Sequence, residues 1–273
     1  MTTAIIAGRG ALPAALVKAA PERPLVAALS DFAPEGLNPD IGFRIERLYP
    51  FFAALHDAGV TSVCFAGAVQ RPRLDPAQFD QITAGIVPRL LGALAQGDDA
   101  TLREVIALFE EEGLKIIGAH ELAPDLLPGP GLYAGELSER DQLDAARAAL
   151  ITEALGRVDV GQGCVVQQGL CLATETLAGT DAMLAMVAAL PPGLRPEAVR
   201  GRGLIYKAPK PLQDRRIDLP ALGVTTVENA RAAGLGGISW EAGSVLCLDL
   251  PGMQAAAREA GLFLWARAPG GGA

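Results

Sequence analysis

The sequence predicts an α/β protein of two domains, an N-terminal Rossmann-like parallel-sheet domain followed by a second α/β domain. Three observations predict it. Over residues 1–122, short apolar runs alternate with longer stretches whose apolar residues recur at three- and four-residue spacing, the signature of βαβ units. The first apolar run ends in Gly8-Arg9-Gly10, turn chemistry that joins a strand to a helix. After residues 123–140, which carry Pro124, Pro128-Gly129-Pro130-Gly131 and Gly135 without sustained periodicity, the alternation resumes.

In chain order, strands are expected over 3–7, 25–29, 62–66 and 114–118, with helices over 13–20, 47–58, 86–95 and 100–112. Residues 123–140 read as an interdomain linker, leaving a domain at 141–273. That domain opens with a helix over 141–155. Two β-rich stretches, 158–167 and 170–176, flank Gln168-Gly169, a hairpin-type turn. Helices over 181–190, 226–233 and 253–260 then alternate with apolar runs at 203–206, 244–248 and 262–266. The strand order of this domain does not follow from its sequence.

At 273 residues the chain is long enough for each domain to bury a core. No stretch approaches the roughly 18–20 apolar residues of a membrane span. The N-terminus lacks the basic n-region of a signal peptide, so a cytoplasmic location is expected. A net charge of −8 argues against nucleic acid as a partner and leaves any anionic ligand to a local cluster of cations. Cys64, Cys164, Cys171 and Cys247 lack metal-type spacing and read as reduced, buried thiols.

Several constellations carry chemistry, each beside a plainer reading. Gly8-Arg9-Gly10-Ala11-Leu12-Pro13 places backbone N–H groups at a helix start where a phosphate can sit; a structural turn is the alternative. Asp31, about twenty residues on, stands where a carboxylate can hold ribose hydroxyls, or is a solvated surface acid. Gly67-Ala68-Val69-Gln70-Arg71-Pro72 ends another strand, with Arg71 able to pair with phosphate. Gly97-Asp98-Asp99 opens a helix: one aspartate caps it, and the second is left for a metal or a sugar hydroxyl. Gly118-Ala119-His120-Glu121 puts one of only two histidines at a strand end, whereas His56 reads as exposed. In the second domain, Glu175-Thr176-Leu177-Ala178-Gly179-Thr180-Asp181 leads into a helix, with Thr180 or Asp181 expected as its N-cap. The densest polar stretch runs from Lys207 to Pro220, where Lys207, Lys210, Arg215 and Arg216 accompany Asp214 and Asp218 on a backbone stiffened by Pro209, Pro211 and Pro220. Such a mixture suits pyrophosphate hydrolysis, in which cations neutralise phosphoryl oxygens while a carboxylate anchors a metal or orients water. A solvated charged loop is the alternative.

Taken in order, Ile6-Ala7-Gly8-x-Gly10-x-Leu12-Pro13, Phe65-Ala66-Gly67-x-Val69-x-Arg71-Pro72, Gly97-Asp98-Asp99, Gly118-Ala119-His120-Glu121, Gly161-Gln162-Gly163, Gly179-Thr180-Asp181-Ala182-Met183-Leu184 and the Lys207 to Pro220 stretch make the chain resemble the LpxI family over nearly its whole length. The resemblance implies a hydrolase assisted by Mg²⁺ that converts UDP-2,3-diacylglucosamine to UMP and 2,3-diacylglucosamine 1-phosphate (lipid X), with the substrate in a cleft between the two domains. It implies a catalytic role for Asp218. Around it the expectation is that Asp218 and Asp181 bind metal and that Lys207, Lys210 and Arg216 stabilise phosphoryl charge. Gly8, Gly10, Gly67, Arg71, Asp98, Asp99, His120, Gln162, Thr180 and Gln213 are then expected to contact substrate. Peripheral contact with the cytoplasmic face of the inner membrane and a homodimer are compatible with such an enzyme. Two other readings stand beside it, a carrier that binds the nucleotide sugar without cleaving it and a nicotinamide oxidoreductase. The altered glycine pattern at Pro13 weighs against the latter.

Overall fold

The computed structural model describes residues 2–32, 34–69, 74–96, 98–191, 193–211 and 213–269, the side chains of Asp98 and Asp99 excepted. The chain divides into two compact units. The first comprises Met1–Pro124 with Arg215–Asp218, and the second comprises Asp125–Asp214 with Leu219–Ala273. No helix among the described residues is long and apolar enough to cross a membrane.

The first unit runs β1 (Thr2–Ala7), α1 (Leu12–Ala19), β2 (Leu25–Leu29), β3 (Ile41–Phe43), α2 (Leu48–Asp57), β4 (Val60–Ala66), α3 (Gln81–Leu94), α4 (Asp98–Glu111), β5 (Lys115–Ile116) and α5 (Ala119–Leu122). Its strands are all parallel in the order β3-β2-β1-β4-β5, the Rossmann-like arrangement expected. From β1 the chain builds outward to β3, then returns to place β4 on the other side of β1. The switch point of the sheet therefore lies between β1 and β4, where open α/β sheets bind ligands. Alternate residues of β1 face opposite layers. Ala4 and Ile6 join a core with Val63 of β4, Phe51, Phe52 and Leu55 of α2, Ile86 and Leu90 of α3, and Phe109 of α4. The rings interlock: Phe43 stacks on Phe51 at 3.8 Å, and Phe52 meets Phe109 edge to face at 5.0 Å.

The second unit runs β6 (Gly131–Ala134), α6 (Glu139–Arg157), β7 (Gly163–Gln167), β8 (Leu170–Thr174), α7 (Gly179–Ala188), β9 (Leu204–Lys207), β10 (Ala221–Leu222), α8 (Val224–Ala232), β11 (Gly237–Glu241), β12 (Leu246–Cys247), α9 (Leu250–Ala260) and β13 (Phe263–Arg267). Its main sheet has the order β6-β13-β11-β9-β7-β8, with β13, β11 and β9 parallel and the remaining pairings antiparallel. Strands β10 and β12 pair separately. Period-two alternation sorts the two faces. Cys164, Val166, Leu204 and Tyr206 pack against Ala145 and Ala148 of α6. Val165, Ile205, Ile238 and Trp240 face Met183 and Leu184 of α7, Val227 and Ala230 of α8, and Met253 and Ala257 of α9.

Three local differences from the sequence expectations have physical causes. Residues 158–162 are not strand: α6 runs on to Arg157, Asp159 turns the chain at φ 56°, and β7 starts only at Gly163. Within 123–140 the structure forms β6, which pairs with β13 and whose Tyr133 stacks on Trp240 at 5.9 Å. Helix α7 begins at Gly179 with Ala178 as its N-cap and no side-chain cap, so Thr180 and Asp181 lie inside the first turn. The expected capping by either residue is corrected, because the Thr180 hydroxyl is committed elsewhere.

Candidate active site

In the first unit the expected glycines meet at the switch point. Gly8 follows β1 and Gly67 follows β4, and the two loops form an antiparallel bridge: the N–H of Arg9 donates to Ala68 O at 2.9 Å and that of Ala68 to Arg9 O at 3.0 Å. The N–H of Gly8 donates to Ala66 O at 2.7 Å. A Cβ on Gly8 would stand 2.6 Å from Ala68 O, and one on Gly67, where φ is +89°, 2.6 Å from Arg9 O, so only glycine fits either position. The anion-binding reading of the turn is narrowed by this. The amides of Gly8 and Arg9 are spent on Ala66 O and Ala68 O, and those that follow, from Gly10 to the start of α1, are the ones at the helix end. Arg9 lies over the ring of Phe32, 5.4 Å from its centroid. Asp31 is mostly exposed and 3.8 Å from Arg44.

Gly118, beyond β5, opens α5 with its N–H donating to Glu121 Oε1 at 2.9 Å. His120 folds back over this glycine: a Cβ on Gly118 would lie 2.4 Å from the imidazole Cε1. The half-buried ring leaves Nδ1 without a hydrogen-bond partner among the described residues. The same glycine is approached by the Arg215 carbonyl, 3.2 Å from where its Cβ would be. Arg215–Asp218 thus belongs with the first unit although its neighbours in sequence belong to the second. Ile217 anchors it by packing on the first unit's core, and Arg216 donates to Glu110 Oε1 of α4 at 3.1 Å. Asp218 follows directly and is exposed. Arg71 lies outside the described residues, as do the side chains of Asp98 and Asp99, the first two residues of α4.

In the second unit the expected residues gather at the carboxyl end of β9. Lys207 is its last residue and lies on the face turned to α7, α8 and α9, continuing the alternation that buries Ile205 there. Its register partners are Gly163 on β7 and Trp240 on β11. The Lys207 ammonium donates to Thr180 Oγ1 at 2.5 Å and lies 3.3 Å from Glu175 Oε1, while the Thr180 hydroxyl donates to the same Glu175 oxygen at 2.8 Å. The result is a closed ring of three hydrogen bonds. The Lys207 and Glu175 side chains are 6 % and 8 % exposed, so the charges face each other with little water between them. An ammonium has three donors. Two of those on Lys207 are accounted for here.

The other expected residues of this unit have defined local partners. Lys210 donates to Asp159 Oδ1 at 2.6 Å, and Gln213 closes the turn after β9 by accepting from the Lys210 N–H at 3.1 Å. The Gln162 carbonyl accepts from the Ala208 N–H at 3.0 Å, while its side-chain Oε1 is buried without a hydrogen-bond partner among the described residues. Asp181 is exposed and accepts from Asn229 Nδ2 at 2.9 Å. Glu175 opens the stretch that leads into α7, but its sequence context assigned it no role. The signal that could have found it is a lone acid directly after an apolar strand, followed by a helix start.

Comparison with known proteins fits this layout. A family model described as the LpxI N-terminal domain matches residues 2–126, and one described as the LpxI C-terminal domain matches residues 130–265. A protein of Caulobacter vibrioides named UDP-2,3-diacylglucosamine pyrophosphatase LpxI is 42% identical over 266 residues, which is 95% of this chain and 95% of that protein.

Proposed function

Because the chain belongs to the LpxI family in both of its halves, we propose that it hydrolyses the pyrophosphate bond of UDP-2,3-diacylglucosamine, giving UMP and 2,3-diacylglucosamine 1-phosphate, a step of lipid A biosynthesis. The observation that carries the reading is the end-to-end likeness to the Caulobacter pyrophosphatase. The buried Lys207 ammonium is its physical counterpart, since a desolvated cation with a donor to spare suits a phosphoryl oxygen.

In this mechanism Lys207 binds a phosphoryl oxygen and meets the charge that grows on it as the bond breaks, with Lys210 and Arg216 adding positive charge. Asp218 orients the attacking water or holds metal. The Gly8 and Gly67 turns, Arg71, His120, Gln162, Thr180 and Gln213 are the proposed substrate contacts, as are Asp98 and Asp99.

Among the described residues, no group of three or more His, Cys, Asp or Glu side chains is placed to hold a metal ion. Mg²⁺ needs no protein cage and is commonly held by one or two carboxylates together with substrate phosphates. We assign Asp218 to it, with Asp181 as a second carboxylate. When bound, the ion would neutralise charge on the pyrophosphate. The two acyl chains support a cytoplasmic enzyme working at the face of the inner membrane.

The test is to incubate the protein with UDP-2,3-diacylglucosamine, with Mg²⁺ or with a chelator, and to follow UMP and diacylglucosamine 1-phosphate by mass spectrometry. Both products with Mg²⁺, and their loss under chelation, are expected. Tight retention of intact substrate under every metal condition would favour the carrier. Products undiminished by the chelator would remove Mg²⁺ from the account and leave the hydrolase.

A further inference from the structure

Glu175 has no role in the mechanism above, yet the fold makes room for it in three ways. It follows β8 directly, and its N–H donates to Gly163 O at 2.8 Å, which holds the backbone against β7. A Cβ on Gly161 would come within 2.1 Å of the Glu175 carbonyl oxygen, so residue 161 has no space for a side chain. A Cβ on Gly163 would come within 2.8 Å of Glu175 Oε2. Gly161 thus leaves room for the Glu175 backbone, and Gly163 for its carboxylate. Burying such a group is costly, and an ion pair recovers that cost without adding much net stability. What the pair supplies is direction.

We infer that Glu175 is the positioning residue for Lys207, acting with Thr180 to hold the ammonium aimed so that its remaining N–H points at the substrate's phosphoryl oxygen. The inference rests on the hydrolase reading. The geometry gives each group a distinct task. Glu175 Oε1 accepts from both Lys207 and Thr180, and the Thr180 hydroxyl accepts from Lys207 while donating to Glu175. Two of the three ammonium donors are thereby fixed by the protein, and rotation about the last bond of Lys207 is locked. A flexible lysine would have to be ordered during the reaction; here the ordering is done before substrate arrives. Glu175 Oε2 is buried without a hydrogen-bond partner among the described residues, so the carboxylate's protein contacts are concentrated on the oxygen that serves Lys207.

Steady-state kinetics on UDP-2,3-diacylglucosamine with Glu175→Gln, Glu175→Asp, Thr180→Val, Lys207→Met and the Glu175→Gln/Lys207→Met double variant test this, alongside thermal melting of each protein. Glu175→Gln is expected to lower kcat by about 10²-fold with KM within about threefold, because a misdirected donor fails mainly in the transition state. Glu175→Asp, which keeps the charge, should retain more activity than Glu175→Gln. Thr180→Val should lower kcat in the same sense. The double variant should be no slower than Lys207→Met alone, since the two residues act through one group. Kcat unchanged in Glu175→Gln, or losses that multiply in the double variant, would overturn the inference. If Glu175→Gln does not fold, the Thr180→Val result decides, and an undiminished kcat there overturns it. Wild-type turnover in the same assay keeps the two readings apart, because an inactive wild type sinks the hydrolase proposal, whereas an active one with an equally active Glu175→Gln sinks only the positioning role.

Discussion

Lys207 and Glu175 mark how far a single chain of letters reveals a site. Lys207 stands out in sequence because other charges and three prolines surround it. Glu175 does not, because its partner lies 32 residues away and the two meet only once β7 has been laid between β8 and β9. The glycines at 8 and 67 were legible as turn residues, but their mutual contact, and the resulting loss of two anion-facing amides, depends on β1 and β4 being neighbours. Three of the cysteines behave as read. Burial pushes the thiols of Cys64, Cys164 and Cys247 up to about 12 from an ordinary 9.0, while Cys171 is exposed. A buried neutral thiol contributes stability that is complete below the unfolded value of 9.0 and is lost as pH climbs from there towards 12. Melting temperatures should therefore hold level up to pH 9 and fall above it. Native protein at pH 8 should take up one equivalent of a thiol reagent, at Cys171, and unfolded protein four. Rapid labelling of all four in the native state would contradict this.

At the scale of elements, the strongest periodicities were read within a few residues. The Gln168-Gly169 turn between β7 and β8 was read from its dipeptide, and its φ values of 50° and 80° are those of a hairpin turn. What the sequence hid was the turn's support. Asp144, on α6 and fully buried, accepts from the N–H groups of Gln168 at 2.8 Å and Gly169 at 2.7 Å and from Arg140 Nη2 at 2.6 Å. Asp144→Ala would leave two turn amides and a guanidinium without their acceptor. It should cost about 3 kcal/mol, seen as a lower urea midpoint with an unchanged slope. A midpoint equal to wild type would show that water replaces the carboxylate at no cost. Strand β11 escaped the reading because Gly236 and Gly237 precede its apolar residues and Ser239 and Glu241 interrupt them, although it is buried in the middle of its sheet. Strand β6 was hidden by the glycines and prolines around it, since its edge position depends on pairing with β13.

For the whole molecule, two α/β units and the order of their motifs were legible because each motif sits at the end of a regular element. The grouping of Arg215–Asp218 with the first unit was not, since nothing in those four residues announces that Ile217 will leave the second unit to pack on the core of the first. That grouping puts the aspartate expected to act in catalysis on a segment fixed by Ile217 and by the Arg216–Glu110 bond, directly beyond both anchors. Removing the Asp218 carboxylate should then abolish chemistry while leaving the fold and substrate capture in place. The most direct test is UMP release from UDP-2,3-diacylglucosamine by wild type and by Asp218→Ala, with substrate binding measured on the variant. The account predicts UMP from wild type, a loss of at least about 10²-fold in the variant, and substrate still bound by it. UMP released equally by both proteins would contradict the role of Asp218, and none from wild type would contradict the hydrolase itself.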